Sequence, residues 1–195
     1  MELQHLNVKF FLRNPEAVDL KDYVAIFNTW IQRHVTEDLL IDVADYGHVY
    51  AGPGVLLIGS EANYSLDNTG NRLGLLYNRK APVAGSNTDR LFQALRTALQ
   101  AAQRLEKENQ LQFEANQVEI VVNDRLLAPN TPATLAAVTD DLKAVLNRLY
   151  GGADYKLAQF GEPRERFAVT VQATGQFDIA TLLKNLAGEL TAAKA

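Results

Sequence analysis

Asp42, Asp45, His48 and Glu61 lie close together in the chain. Carboxylates with an imidazole can bind a divalent metal or share acid–base work. In an extended strand Asp42 and His48 face one side and Asp45 the other, so a bend at Gly47 is needed to gather them. Stronger signatures, such as two histidines one turn apart on a helix, are absent. His5, His34 and His48 are the only histidines, so a multi-histidine zinc site is not expected. The simpler expectation is a polar strand end at a sheet rim, with Asp45 capping the loop.

Asn123-Asp124-Arg125, with Asn130 and Thr131, forms a second cluster. An arginine in a loop ahead of a helix N-terminus can hold a small anion. The competing expectation is an ordered connection in which Asp124 and Arg125 bond backbone groups and Thr131 caps the helix. Gly52-Pro53-Gly54 with Gly59 is a third. A phosphate cradle places its glycines between a strand and a helix. Here they precede a strand, as in a tight turn feeding it. Ser60, Ser65 and Ser86 are the only serines, and none sits in G-x-S-x-G. The residues assigned to ligand binding are therefore His48, Asp42, Asp45 and Arg125, with no catalytic residue, metal or cofactor assigned.

The elements that must position these groups follow from periodicity. Gln4 to Leu12 alternates as a half-buried strand, with Leu6, Val8, Phe10 and Leu12 on its apolar face. Asp19 reads as the cap of a helix carrying Leu20, Tyr23, Val24, Phe27, Trp30 and Ile31. Leu39 to Tyr46 is a strand and Gly47 to Gly54 a loop. Val55 to Asp67 reads as one long strand with Leu56, Ile58, Ala62, Tyr64 and Leu66 on one face. Asn68 to Asn71 turns it back into a strand through Leu73, Leu75 and Tyr77, so 55–79 is a β-hairpin. Ala81 to Asn87 resembles a linker. Ser86 or Thr88 caps a helix with Leu91, Leu95, Ala98, Leu99, Ala102 and Leu105 on its apolar face. Leu111 to Val122 is strand-like, and its change of phase calls for a bulge or turn at Asn116-Gln117. Thr131 and Pro132 open a helix that stops at Gly151. Tyr155–Phe160 and Arg166–Gln172 are strands about a Gly161-Glu162-Pro163 turn. Asp178 caps a last helix carrying Ile179, Leu182, Leu183, Leu186 and Leu190, and the tail beyond it frays.

These elements define an α+β fold, with a largely antiparallel sheet of about six or seven strands and four helices against it. Trp30, Phe27, Leu56, Ile58, Leu142 and Leu146 are the expected core. The chain reads as a single domain, 1–195, whose halves 1–109 and 110–195 show signs of an internal duplication of a β-α-β-β-α unit. Val8–Leu12 parallels Val118–Val122 at an offset of 110, Ala44-Asp45-Tyr46 parallels Ala153-Asp154-Tyr155 at 109, and Leu66-Asp67 parallels Phe177-Asp178 at 111. His48 and the Gly-Pro-Gly turn have no counterpart in the second half. Any site is therefore expected on the first-half loop, with His48 ahead of Asp45. The runs IDVADYGHV, GPGVLLIG and NDRLLAPNT resemble an uncharacterised bacterial protein family of unknown function. The resemblance covers most of the chain and implies no activity, substrate or catalytic residue.

Composition narrows the function classes. Of 195 residues 47% are hydrophobic and 22% charged, enough to bury a core without staples. Without cysteine there is no disulfide and no thiol catalysis. Nineteen basic against 23 acidic residues give a net charge of -4, which argues against nucleic-acid binding. No apolar run reaches the roughly 18 residues of a membrane span, and no signal peptide is visible at the N-terminus. A cytoplasmic, soluble protein is expected, with no membrane partner. The leading expectation is a non-enzymatic protein that binds a ligand or self-associates, with a homodimer as the commonest assembly; the alternative is a small-molecule or metal-dependent enzyme using the Asp42, Asp45 and His48 region.

Overall fold

The computed structural model describes residues 1–187. Its elements in order are β1 (Leu6–Phe11), α1 (Asp22–Arg33), β2 (Leu40–Tyr46), β3 (Gly54–Gly59), β4 (Ala62–Asp67), β5 (Gly74–Arg79), α2 (Asn87–Asn109), β6 (Gln117–Val122), α3 (Pro132–Leu149), β7 (Tyr155–Phe160), β8 (Phe167–Ala173) and α4 (Ile179–Asn185). The fold is α+β, as the periodicities indicate. The strands form one antiparallel sheet in the order β2-β3-β4-β5-β1-β6-β8-β7. It has eight strands rather than six or seven, because the segment read as one long strand is two. Leu190 and the frayed tail expected after it lie outside the described residues.

The extra turn between β3 and β4 comes from Asp38. Its carboxylate accepts hydrogen bonds from Ser60 Oγ at 2.5 Å, from the Glu61 backbone N–H at 3.0 Å and from the Ala62 backbone N–H at 3.0 Å. Gly59 makes room for it, since a Cβ there would sit 2.4 Å from Asp38 Oδ2. The reversal changes the phase. Val55 and Leu57 join Ala62, Tyr64 and Leu66 in the core, while Leu56 and Ile58 turn to the other face and are only half-buried. Trp30, Phe27, Leu142 and Leu146 are buried as expected. At the start of β3, Gly54 has φ +64°, and a Cβ would lie 1.9 Å from the Leu66 carbonyl oxygen. The Gly-Pro-Gly turn thus serves close strand packing.

Helix signals are mostly realised. Ser86 and Asp89 form a capping box on α2, Thr131 caps α3 with Pro132 in its first turn, and Asp178 accepts from Thr181 N–H at α4. Asp19 is the exception. It bonds the Lys21 N–H in the turn before α1, and Lys21 occupies the cap position without a side-chain bond. Ala81–Ser86 links β5 to α2 within one layered structure. The phase change before β6 is a turn closed by the Gln117 N–H on the Glu114 carbonyl.

Each half contains a strand, a helix, an antiparallel hairpin and a helix, and β2–β3 is extra to the first half. β1 and β6 lie side by side in the centre. Ala44-Asp45-Tyr46 lies in edge strand β2, four strands from β1, whereas Tyr155 opens β7, two strands from β6. Leu66-Asp67 ends a strand and Asp178 caps a helix. Of the three sequence parallels, only Val8–Leu12 with Val118–Val122 falls on positionally equivalent strands.

All four helices pack on one face of the sheet, joined to alternate strand residues such as Val8, Phe10, Leu57, Tyr64, Leu75, Ile120 and Val169 in one core. The opposite face has no helix among the described residues, yet its centre is closed. β1 is buried on both sides rather than one: Asn7 is 2% exposed, Lys9 5% and Phe11 5%. Lys9 Nζ donates to Asp67 Oδ1 at 2.5 Å, and Arg72 stacks 3.7 Å over the Phe11 ring. Removing one partner of a buried pair leaves a desolvated charge. Lys9→Met should therefore cost about 3–5 kcal/mol, and adding Asp67→Leu should recover most of that. Chemical denaturation of wild type, single and double variants measures both steps.

Candidate functional site

A cleft of about 500 Å³ opens on the helical face between α1, α2 and the β4–β5 hairpin. Its back wall is cross-strand pairing: Tyr64 lies opposite Tyr77, and Ala62 opposite Arg79. The two tyrosine rings are 5.4 Å apart. Trp30 from α1 forms a side wall, with Arg104 of α2 at 5.8 Å over its ring. α2 lends Gln93, Thr97, Gln100 and Arg104, spaced so that they form one polar stripe beside the helix's apolar one.

The charges in the cleft are largely met internally. Arg79 bonds Glu61 at 2.8 Å and the Ala81 carbonyl at 2.9 Å. Arg104 pairs with Glu108 one turn on, at 2.7 Å. Asp38 is engaged by the β3–β4 turn. Burial pushes the Tyr64 hydroxyl well above its usual range, with further upward push from Tyr77 and Asp38 and a downward pull from Arg79. Burial also raises Tyr77, against the hydrogen bonds of Gln93 and Arg79. Two polar atoms of the wall have no partner among the described residues. Gln93 spends its amide N–H groups on Tyr77 Oη at 3.0 Å and Thr97 Oγ1 at 3.2 Å, and its Oε1 is left buried and unpaired. The Trp30 indole N–H is also buried and unpaired in a residue only 1% exposed. Buried polar atoms normally find partners, so two beside one cleft mark it out.

The residues singled out in the sequence are placed elsewhere, with one exception. Asp42 is exposed on β2 and accepts from the Val43 N–H. Asp45 points to the other face and caps the loop through the Gly47 N–H at 2.8 Å. His48 is exposed and stacks against Tyr46 with centroids 6.5 Å apart. Glu61 alone joins the cleft. Among the described residues no group of three or more His, Cys, Asp or Glu side chains could hold a metal ion. Arg125 donates to the Arg164 carbonyl at 2.8 Å on the opposite face of the sheet, while Asp124 accepts from the Leu126 and Leu127 N–H groups. The ordered-connection expectation for that loop is the one realised. The cleft residues had a faint sequence signal: the polar stripe along α2, and Tyr64, Tyr77 and Arg79 on strand faces that are otherwise apolar.

Compared with known protein families, curated proteins and solved structures, the chain finds no match in any of the three. No helix among the described residues is long and apolar enough to cross a membrane.

The wall tyrosines give a test of this geometry. A hydroxyl whose folded pKa lies above its unfolded value contributes stability that is complete below the unfolded pKa and lost as pH rises through the folded one. Alkaline titration followed by tyrosinate absorbance should show Tyr64 and Tyr77 ionising with unfolding rather than before it. Unfolding free energy should fall once pH exceeds about 10.

Proposed function

We propose that this chain is a non-enzymatic binding protein that holds a small, neutral, polar ligand in the cleft between Trp30, Tyr64, Tyr77 and α2. The observation that carries this reading is the pair of unpartnered atoms, the Trp30 N–H as donor and Gln93 Oε1 as acceptor, at the wall of one cleft. Both atoms lie just beneath the wall surface, so a ligand with a matching acceptor and donor reaches them when the Trp30 and Gln93 side chains shift to admit it, and a flat one gains the aromatic walls as well. Neutrality follows from the balance of charge, since Arg79 and Arg104 each already hold a carboxylate. The same balance favours binding over catalysis. Proton transfer near neutral pH needs a group whose pKa lies close to it, and both tyrosines are moved further away.

Trp30 is the only tryptophan, so its emission reports on the cleft. Titration with neutral cyclic amides and heterocyclic bases should change that emission saturably. Gln93→Leu should weaken the binding about two- to tenfold, as expected for one hydrogen bond. Binding that leaves the emission unchanged and ignores Gln93→Leu would place the ligand elsewhere. A panel without a binder would remove support for the cleft.

Self-association is favoured by a separate observation. Edge strand β2 and its flanks expose Leu39 at 61%, Ile41 at 56% and Tyr50 at 85%. An open strand edge with exposed apolar side chains is a natural pairing surface. Light scattering should then give a dimer mass that Ile41→Lys reduces to a monomer. A monomeric wild type at high micromolar concentration would dispose of it.

A further inference from the structure

We propose that the uncovered face of the sheet carries a second, separate site, which takes an organic phosphate between Arg125, Arg164 and Arg166. A cleft of about 620 Å³ lies there, over the ends of β6, β7 and β8. Thr69, Glu119, Phe160 and the three arginines line it.

The arginines come from two loops that are locked together. Asn130, 4% exposed, donates to the carbonyls of Phe160 and Glu162 at 3.0 and 3.2 Å, and accepts from Gln159 at 2.7 Å. Pro129 bridges to Arg166, and Arg125 Nη1 holds the Arg164 carbonyl. The loop after β6 and the β7–β8 turn therefore form one ordered unit before any ligand arrives, which lowers the entropic cost of binding.

Charge sets the ligand class. None of the three guanidiniums forms an ion pair with a carboxylate among the described residues, and the Arg164 side chain makes no hydrogen bond there. Three unmatched guanidiniums on a chain of net charge -4 are an uneven distribution. Of the two carboxylates that line the cleft, Glu165 is already engaged. It accepts from the Glu162 N–H at 2.8 Å, and Glu119 stands opposite Lys9. Burial also raises Glu119 above the usual carboxylate range, against the pull of Lys9 and Arg72. Guanidinium forks match phosphate oxygens in geometry and charge. Size sets the rest. The volume lies in the range of small-molecule sites, far more than a bare phosphate fills. Phe160, 39% exposed, offers a flat surface for an attached ring.

The test is calorimetric titration of the intact protein with phenyl phosphate, inorganic phosphate and benzoate. Phenyl phosphate should bind most tightly, with affinity that falls as salt rises. Arg164→Ala, which removes no side-chain hydrogen bond or ion pair among the described residues, should keep the wild-type melting temperature and weaken binding about tenfold. Arg33→Ala, an exposed arginine on α1, should leave binding unchanged. Benzoate binding as tightly as phenyl phosphate would overturn the phosphate class. Inorganic phosphate binding equally well would overturn the organic part. No binding by phenyl phosphate, or equal binding by Arg164→Ala and wild type, would overturn the site.

Discussion

A lysine and an aspartate buried together on the uncovered face of the sheet set the terms for the rest of the molecule. Lys9 sits on central strand β1 and Asp67 at the end of β4, with β5 between them. Gly74 of β5 pairs with both Phe11 and Asp67, so no side chain stands between the two strands at that level. Asp67 is held in turn by the Thr69 N–H and hydroxyl, at 3.2 and 2.8 Å. A charge pair this deep is tolerated only when its geometry is fixed. It therefore ties the register of three strands to the turn that follows β4. Among the described residues helices cover only the other face, so this polar cluster, with Phe11 beneath Arg72, closes the middle of a face that they leave uncovered.

The two clefts follow from that division. On the helical face, α1 packs over β2 and β3 and α2 over β5 and β1, and the gap between them is lined by side chains that a fully packed interface would have made apolar. On the other face, two locked loops raise a basic rim beside the central polar cluster. Successive residues of the same strands serve the two sides. Tyr64 walls the helical cleft while its neighbour Ser65 is buried on the far face. The first cleft has balanced charge and unpaired neutral atoms. The second has unbalanced charge and an aromatic ring. Each calls for a different ligand chemistry, and neither requires the other to be filled.

Much of the architecture was legible in the order of residues. Period-two runs at β1, β5, β7 and β8, helical stripes in all four helices, and the caps Ser86, Thr131 and Asp178 act over a few residues, where local physics decides. Asp45 capping its own loop and Thr131 opening α3 were legible for the same reason. What the sequence could not supply lies at long range. Asp38 makes its turn with residues more than twenty positions on, and that contact split one apparent strand into two and turned Leu56 and Ile58 off the helical core. Lys9 looked solvent-facing because alternation alone cannot show a carboxylate two strands away.

The candidate sites divide in the same way. Asp42, Asp45 and His48 are adjacent in the chain, but strand alternation and an exposed edge keep them apart. Trp30, Tyr64, Tyr77 and Gln93 come from four elements, and only the packing of α1 and α2 on one face of the sheet brings them to one cleft. Arg125 was visible as a loop arginine, while its neighbours Arg164 and Arg166 arrive through a hairpin turn that Asn130 fastens to the Arg125 loop. The sequence by itself determined which segments are strands and helices, because backbone propensity and side-chain period are local. Tertiary structure alone decided which polar groups meet, because that depends on which strands pair and which face each residue is given.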